Sequence, residues 1–260
     1  MIKMYLSDLT KDELYAHKKG QKIMTDMLKE LDSICRKNNL EYWVTCGTLI
    51  GTLRHKGWIP WDGDIDIGML EKDYKKLQSI IQKNLSKDYW FQDKTTDKNF
   101  PSNLGKIRYL HAYYSDEKDR TCHNGIQIDI FVFKENDNML VPTFKGGEIK
   151  NDILKDMIFP LKELTFENIK VYVPNKYKKY SKDGWGDYPP PFPPKEQQYS
   201  HEGRTSFIIP KWIKTMYPTL YGKKNIKGGD YLNLKKYIKN NYCILIFILI
   251  FMIFYKFYII

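Results

Sequence analysis

Cysteine is scarce in this 260-residue chain: there are four, at positions 35, 46, 122 and 243. No two form a C-x-x-C pair, and their spacing supplies no zinc framework. Cys243 lies in an apolar C-terminal run. The three that remain do not make a disulfide scaffold, and a reducing compartment is the simplest reading. The N-terminal stretch MIKMYLSDLTKDELYAHKKG is charged and lacks an apolar core, so it is not expected to act as a secretory signal. No internal repeat is visible. The net charge of +11 is carried by scattered lysines rather than by a basic stripe with interleaved aromatics, so no nucleic-acid partner is expected. A basic surface suits anionic partners such as phosphates or lipid headgroups.

What is present is ample core material, 42% hydrophobic and 15% aromatic residues, enough for one domain with appendages. One long apolar run stands at the end: Tyr242 to Tyr255 reads YCILIFILIFMIFY without a charge. From Tyr242 to Ile260 it covers 19 residues. That is close to the roughly 20 needed to span a bilayer as a helix. Lys256 near the far end can snorkel to the interface. Lys235, Lys236 and Lys239 gather just before the run, which favours a cytoplasmic body by the positive-inside rule. The expectation is a membrane protein with a single-pass C-terminal anchor. A buried core helix or a hairpin of β-branched residues is the alternative. The segment YPPPFPP at 188–194 reads as an extended, polyproline-like surface loop.

Residues 11–38 read as a helix. Ile23, Met27, Leu31 and Ile34 or Cys35 recur every three or four positions, and Thr10 with Glu13 resembles a capping box. EYWVTCG at 41–47 reads as a strand entering a glycine turn. TLIGTLRHKG then reads as a short helix broken by Gly57, and Pro60 enforces an extended approach to DIDIGM. There Ile65 and Ile67 alternate with Asp64 and Asp66, the period-two mark of a half-buried strand, so both carboxylates leave one face. Residues 71–85 read as helix and 104–114 as a strand carrying Arg108. GIQIDIFVF at 125–133 is the clearest strand, with Asp129 in its middle. An unpaired carboxylate there is expensive to bury, and a cation is a good partner.

Three carboxylates, Asp64, Asp66 and Asp129, can therefore converge from two strands, with Asp62 on the same parity as a further ligand or supporting acid. Hard divalent cations such as Mg²⁺ or Mn²⁺ take oxygen ligands and clamp attacking and leaving oxygens in phosphoryl transfer. A solvated acidic turn is the bland alternative. A calcium loop fails, because position 6 counted from Asp62 is Ile67 and position 12 is Asp73. Gly47 and Thr48 follow a strand and precede a helix, where backbone amides and a hydroxyl can face a phosphate. Arg54, His55 and Lys56 add positive charge before the aspartates, and Arg108 adds it on a neighbouring strand. All are candidates for substrate binding.

The run CGTLIGTLRHKGWIPWDGDIDIGM resembles the signature of the LicD and fukutin-related family: Gly-Thr/Ser-Leu-Leu-Gly, then Arg-His-x-Gly, then Ile-Pro-Trp-Asp-x-Asp-x-Asp. The flanks LDSICRKNNLEYW and GIQIDIFVF are also similar, and so is the closing segment 173–201. The resemblance covers roughly residues 15–201. Gly63 stands where many bacterial members carry Asp. The resemblance implies an α/β (α+β) fold, a nucleotidyltransferase-like mixed sheet flanked by helices, here with a C-terminal transmembrane helix added. It implies the metal-binding acids Asp62, Asp64, Asp66 and Asp129, and a Gly47–Thr48 substrate loop. It further implies transfer of phosphocholine or an alditol phosphate from a CDP-activated donor to a glycan or glycolipid, with release of CMP.

The expected organisation is an N-terminal helical segment (1–40), a catalytic domain (41–210), a basic linker (211–241) and the anchor (242–260). Two other readings stand beside this one. A true nucleotidyltransferase would leave the nucleotide on a small molecule or protein. An inactive, membrane-anchored protein would bind glycan or nucleotide without turnover.

Overall fold

The computed structural model describes residues 3–102, 104–116, 121–144, 151–186 and 195–222. The proline run at 188–194, the lysines at 235, 236 and 239 and the apolar segment 242–260 lie outside the described residues. Among the described residues no helix is long and apolar enough to cross a membrane. The chain forms two compact units, residues 1–213 and 214–260.

The first unit begins with strand β1 (Met4–Tyr5) and the long helix α1 (Lys11–Lys37). Glu13 N–H donates to Thr10 Oγ1, and Thr10 N–H donates back to Glu13 Oε2 at 2.8 Å, the reciprocal capping box the sequence implies. Met24, Met27, Leu28, Leu31, Ile34 and Cys35 bury one face of this helix. Then follow β2 (Tyr42–Val44), α2 (Cys46–His55), β3 (Ile65–Leu70), α3 (Glu71–Asn84), β4 (Tyr89–Gln92) and β5 (Gly105–Tyr109). After β6 (Tyr113–Tyr114) comes the longest strand, β7 (Gln127–Asn136), then β8 (Met139–Pro142), β9 (Ile153–Leu154) and a short α4 (Lys155–Ile158). A hairpin, β10 (Lys162–Phe166) and β11 (Ile169–Val173), leads to α5 (Tyr177–Trp185). Strands β12 (Tyr199–Ser200) and β13 (Thr205–Ser206) return to pair with β1 and β6, and α6 (Lys211–Met216) follows. The described residues of the second unit take in the end of α6 from Lys214 and then α7 (Pro218–Tyr221), with Pro218 in its first turn.

Seven strands make one mixed sheet in the order β2-β3-β7-β5-β4, with β8 on β7 and β9 on β8. Among the described residues only β3 and β7 pair in parallel there. Their sequences suit that place, because parallel strands are normally covered on both faces and read as apolar runs. Gln127 through Phe133 are all buried. The sequence implied a half-buried strand at DIDIGM; the structure buries five of the six residues of β3. The physical reason is that the sheet is covered on both sides. Ile128, Ile130 and Val132 of β7 join the core with α1. Phe131 and Phe133 close the other side against Phe144 and Trp43. Gly68 makes the second packing possible: a Cβ there would stand 2.3 Å from Trp43 Cε2. The Asp129 face of β7 thus ends in aromatics and is polar where the strand begins.

Candidate active site

Because β2 runs antiparallel to β3, with Val44 opposite Ile67, the end of β2 lies beside the start of β3. The chain turns there into α2 through Cys46, whose φ of 45° is left-handed. Thr45 N–H donates to Asp66 O at 3.0 Å, and Asp66 N–H donates to Thr48 Oγ1 at 2.9 Å. The opening turn of α2 is therefore tied to the strand that bears the acids. The loop before β3 is held from the other direction by a stripe on α1. Gln21 Nε2 donates to Asp62 O at 2.9 Å, and Trp58 Nε1 donates to Thr25 Oγ1 at 2.9 Å. His17 Nε2 lies 3.0 Å from Pro60 O. Tyr114 adds a bond from its hydroxyl to Gly63 O at 2.7 Å.

Five carboxylates meet in this frame. One oxygen each from Asp64, Asp66 and Asp129 lies within 4.8 Å of the others. The same holds for Asp62, Asp64 and Glu202, so Asp64 belongs to both groups. Lys106 of β5 stands opposite Asp129 in the β5–β7 register. Its Nζ lies 2.7 Å from Asp129 Oδ1 and 2.8 Å from Oδ2. Burial, then the negative charges of Glu202, Asp66, Asp62 and Asp129, hold the Asp64 carboxyl well above the usual carboxylate range. Burial also raises Glu202, against a hydrogen bond from the Ser200 hydroxyl that favours its ionised form.

The glycines at the site leave room for these acids. A Cβ on Gly47 would sit 2.5 Å from Asp62 Oδ2. A Cβ on Gly63 would sit 2.7 Å from Ser200 Oγ and 2.9 Å from Glu202 Oε2. Gly47 and Thr48 are thus beside the acids, with Thr48 buried as an anchor for Asp66. The basic group follows at the other end of the same helix. Arg54 and His55 form the last turn of α2. At 1.5 Å per residue that is about 10 Å along the axis from Thr48. Burial, then the neighbouring Arg54, lowers the His55 pKa and favours its neutral form. Lys56 ends the helix with a φ of 55°, and its carbonyl accepts from Glu167 N–H in the β10–β11 turn at 2.6 Å. Arg108, read from the sequence as a phosphate contact, is 4% exposed. Its Nε donates to Gln92 Oε1 at 2.7 Å, and its Nη1 donates to Gly125 O at 2.7 Å and to Gln127 Oε1.

Residues 39–176 match a family model described as LicD/FKTN/FKRP, nucleotidyltransferase domain. The chain belongs to the LicD/FKTN/FKRP family. Among its relatives is an uncharacterized protein of Rickettsia prowazekii, 29% identical over 60% of this chain and 52% of that one. The Lipopolysaccharide cholinephosphotransferase LicD of Haemophilus influenzae is 28% identical over 44% of this chain and 42% of its own. The Ribitol-5-phosphate transferase FKTN of Mus musculus is 25% identical over 71% of this chain and 36% of its own. The chain thus spans about half or less of the length of these relatives. Among solved structures, the crystal structure of ANT(2″)-Ia in complex with adenylyl-2″-tobramycin aligns at 12% identity with a TM-score of 0.37, over 78% of this chain and 92% of that one.

In this LicD-family chain the donors fit a hard divalent cation. Both groups of acids are oxygen donors only, and gathering like charges under burial is unfavourable unless a cation or a proton intervenes. Sequence reasoning missed two residues of the site, Lys106 and Glu202. Lys106 shares its strand parity with Arg108, which was a usable signal, but its pairing with Asp129 depends on a long-range register. Glu202 follows directly on the segment 173–201 and lies beyond the matched residues 39–176. It reaches the site because β12 and β13 fold back onto β1 and β6.

Proposed function

We propose that this chain transfers a phosphorylated group, phosphocholine or an alditol phosphate, from a CDP-activated donor to a hydroxyl of a glycan or glycolipid, and releases CMP. The observation that carries this reading is the side-by-side placement of Asp66 and Asp129 with Asp64 between two groups of acids, in a chain of this family. The activities for which the Haemophilus and mouse relatives are named, cholinephosphate and ribitol-5-phosphate transfer, support the class of group transferred.

Asp64, Asp66 and Asp129 would hold one divalent cation, Mg²⁺ or Mn²⁺, and Asp62 and Glu202 would hold a second together with Asp64. When bound, such cations neutralise charge on the phosphoryl oxygens and on the departing group. The rest is positioning by the protein. Lys106 keeps the Asp129 carboxylate in place from the neighbouring strand. The first turn of α2 has no side-chain cap, so its backbone N–H groups are suited to the donor's phosphates. Phe131 and Phe133 shut the sheet face beyond Asp129 and keep water from that side. The acceptor hydroxyl attacks the phosphorus of the transferred group, the bond to the CMP oxygen breaks, and the hydroxyl proton passes to a carboxylate of the site.

The test is CMP release by the full chain in detergent, given CDP-choline, CDP-ribitol or CDP-glycerol separately, with Mg²⁺ or Mn²⁺ and a mixed glycan pool. Metal-dependent CMP from one donor, absent in the Asp64→Asn, Asp66→Asn double variant, is the expected result. Nucleotide found on the acceptor instead would replace this reaction by nucleotidyl transfer. Binding of donors without product would leave a binding protein. We also propose, from the sequence of residues 242–260, that the chain is membrane-anchored with its body in the cytoplasm. Release into the soluble fraction on carbonate extraction would overturn that.

A further inference from the structure

Asp64 is the acid common to both groups, and the Gln127 amide approaches its carboxylate from outside them. Gln127 Nε2 donates to Asp64 Oδ2 at 3.4 Å. A glutamine amide can present either hydrogens or lone pairs to a carboxylate, and only the first is favourable. Arg108 decides which. A guanidinium has donors alone, so the glutamine oxygen must face it and the amide NH₂ must face away, toward Asp64. The two residues stand opposite each other in the β5–β7 register, and Arg108 Nη1 donates to Gln127 Oε1.

Arg108 is itself held on two further sides. Its Nε donates to Gln92 Oε1 at 2.7 Å and its Nη1 to Gly125 O at 2.7 Å. Gln92 Nε2 then donates to Asp97 Oδ2 at 2.7 Å. The chain Asp97–Gln92–Arg108–Gln127–Asp64 thus crosses β4, β5 and β7 and ends at the residue before β3. Gln92, Arg108 and Gln127 are all under 8% exposed. Each glutamine is oriented by the same guanidinium and turns its NH₂ to a carboxylate. A buried positive charge is costly unless charge balances it, and Asp97 lies at the far end of the relay from Asp64.

We infer that Gln127 and Arg108 are positioning residues: Arg108 orients the Gln127 amide, and Gln127 sets the Asp64 carboxylate for the divalent cation. Arg108 acts through Gln127, and Gln127 acts through Asp64. The inference rests on the cation-binding part of the proposed function and not on the identity of the donor. Partners that orient a metal ligand typically change metal affinity by about 10- to 100-fold.

The test is Mn²⁺ binding by the full chain in detergent, read from the electron paramagnetic resonance of free Mn²⁺, with thermal melting alongside. Gln127→Met is expected to weaken binding about tenfold or more. Ile81→Ala is the control: it empties fully buried core volume on α3, outside the relay, lowers the melting temperature, and leaves Mn²⁺ affinity within about twofold. Gln127→Asn keeps the amide but shortens it, and serves where Gln127→Met does not fold; it too is expected to bind weakly. Wild-type affinity in the folded Gln127 variant overturns the inference. So does equal weakening by Ile81→Ala, which would make the effect general destabilisation, and so does a wild-type chain that takes up no Mn²⁺. A wild-type chain that binds Mn²⁺ but releases CMP from no donor removes the proposed reaction and leaves the inference standing.

Discussion

Asp66 and Asp129 face each other as direct neighbours in the parallel pair of β3 and β7. Neighbouring strands lie roughly 4.8 Å apart, so two carboxylates of like sign are held side by side by the sheet itself. No rotamer change removes that juxtaposition. A cation between them is the arrangement that turns the repulsion into binding.

Replacing either residue should therefore separate stability from function. Asp66→Asn is expected to lower turnover by about a hundredfold or more, the scale of losing one electrostatic partner at a reacting phosphate. In the absence of metal it should melt at or above the wild-type temperature, because one like charge is gone. A variant that melts well below wild type would show that Asp66 is needed for folding.

Lys106 gives the converse case. Its ammonium group pairs with both oxygens of Asp129, and both side chains are largely buried, at 13% and 10% exposure. Removing one partner of a buried pair costs about 3 kcal/mol. Lys106→Met is expected to lose that much in metal-free denaturant unfolding, and Mg²⁺ should restore a good part of it. Loss of stability that Mg²⁺ does not touch would exclude a role in balancing the acids.

Gly47→Ala tests the close approach of α2 to Asp62. The added Cβ would meet Asp62 Oδ2 at 2.5 Å, the movable end of a side chain. The fold should survive with a change of about 1 kcal/mol or less, while Mn²⁺ affinity falls by about tenfold as Asp62 is displaced. Unchanged affinity would remove Asp62 from the set of ligands.

His123 predicts a pH dependence. The ring is 0% exposed, and its Nδ1 accepts from Gly125 N–H at 3.1 Å. Burial, then the nearby Arg108 charge, lowers its pKa to about 3. The folded state keeps it neutral while the unfolded chain protonates near pH 6.5, so stability is full above that value and is lost as pH falls toward 3. Between pH 7.5 and 5 the loss is about 2 kcal/mol. Asp64 and Glu202, both raised, act in the opposite direction: they favour the folded state at low pH and lose that contribution as pH rises. Urea midpoints of wild type and His123→Gln at the two pH values isolate the histidine, and equal pH slopes would refute its role.

The local parts of this protein were legible in the sequence. Helix α1 and its cap follow from contacts three and four residues apart, and the structure carries both. The alternation in DIDIGM put Asp64 and Asp66 on one face, and the central Asp129 of an apolar strand marked its own cost of burial. These signals lie within a single element, where backbone geometry alone relates one side chain to the next.

Tertiary structure decided the rest, because pairing register and loop return relate residues that no local period connects. The β5–β7 register made Lys106 the partner of Asp129 and turned Arg108 inward to Gln127, although the two bases share one face of β5 in the sequence. The return of β12 and β13 brought Glu202 to Asp62, 140 positions earlier. Which strands become neighbours depends on how the whole sheet is covered, and the burial that covers it is shared among α1, the aromatic residues around Trp43 and the strands themselves. The sequence by itself thus determined which acids the protein carries and on what elements; only the packed sheet determined which cation, amide and further acid would stand against them.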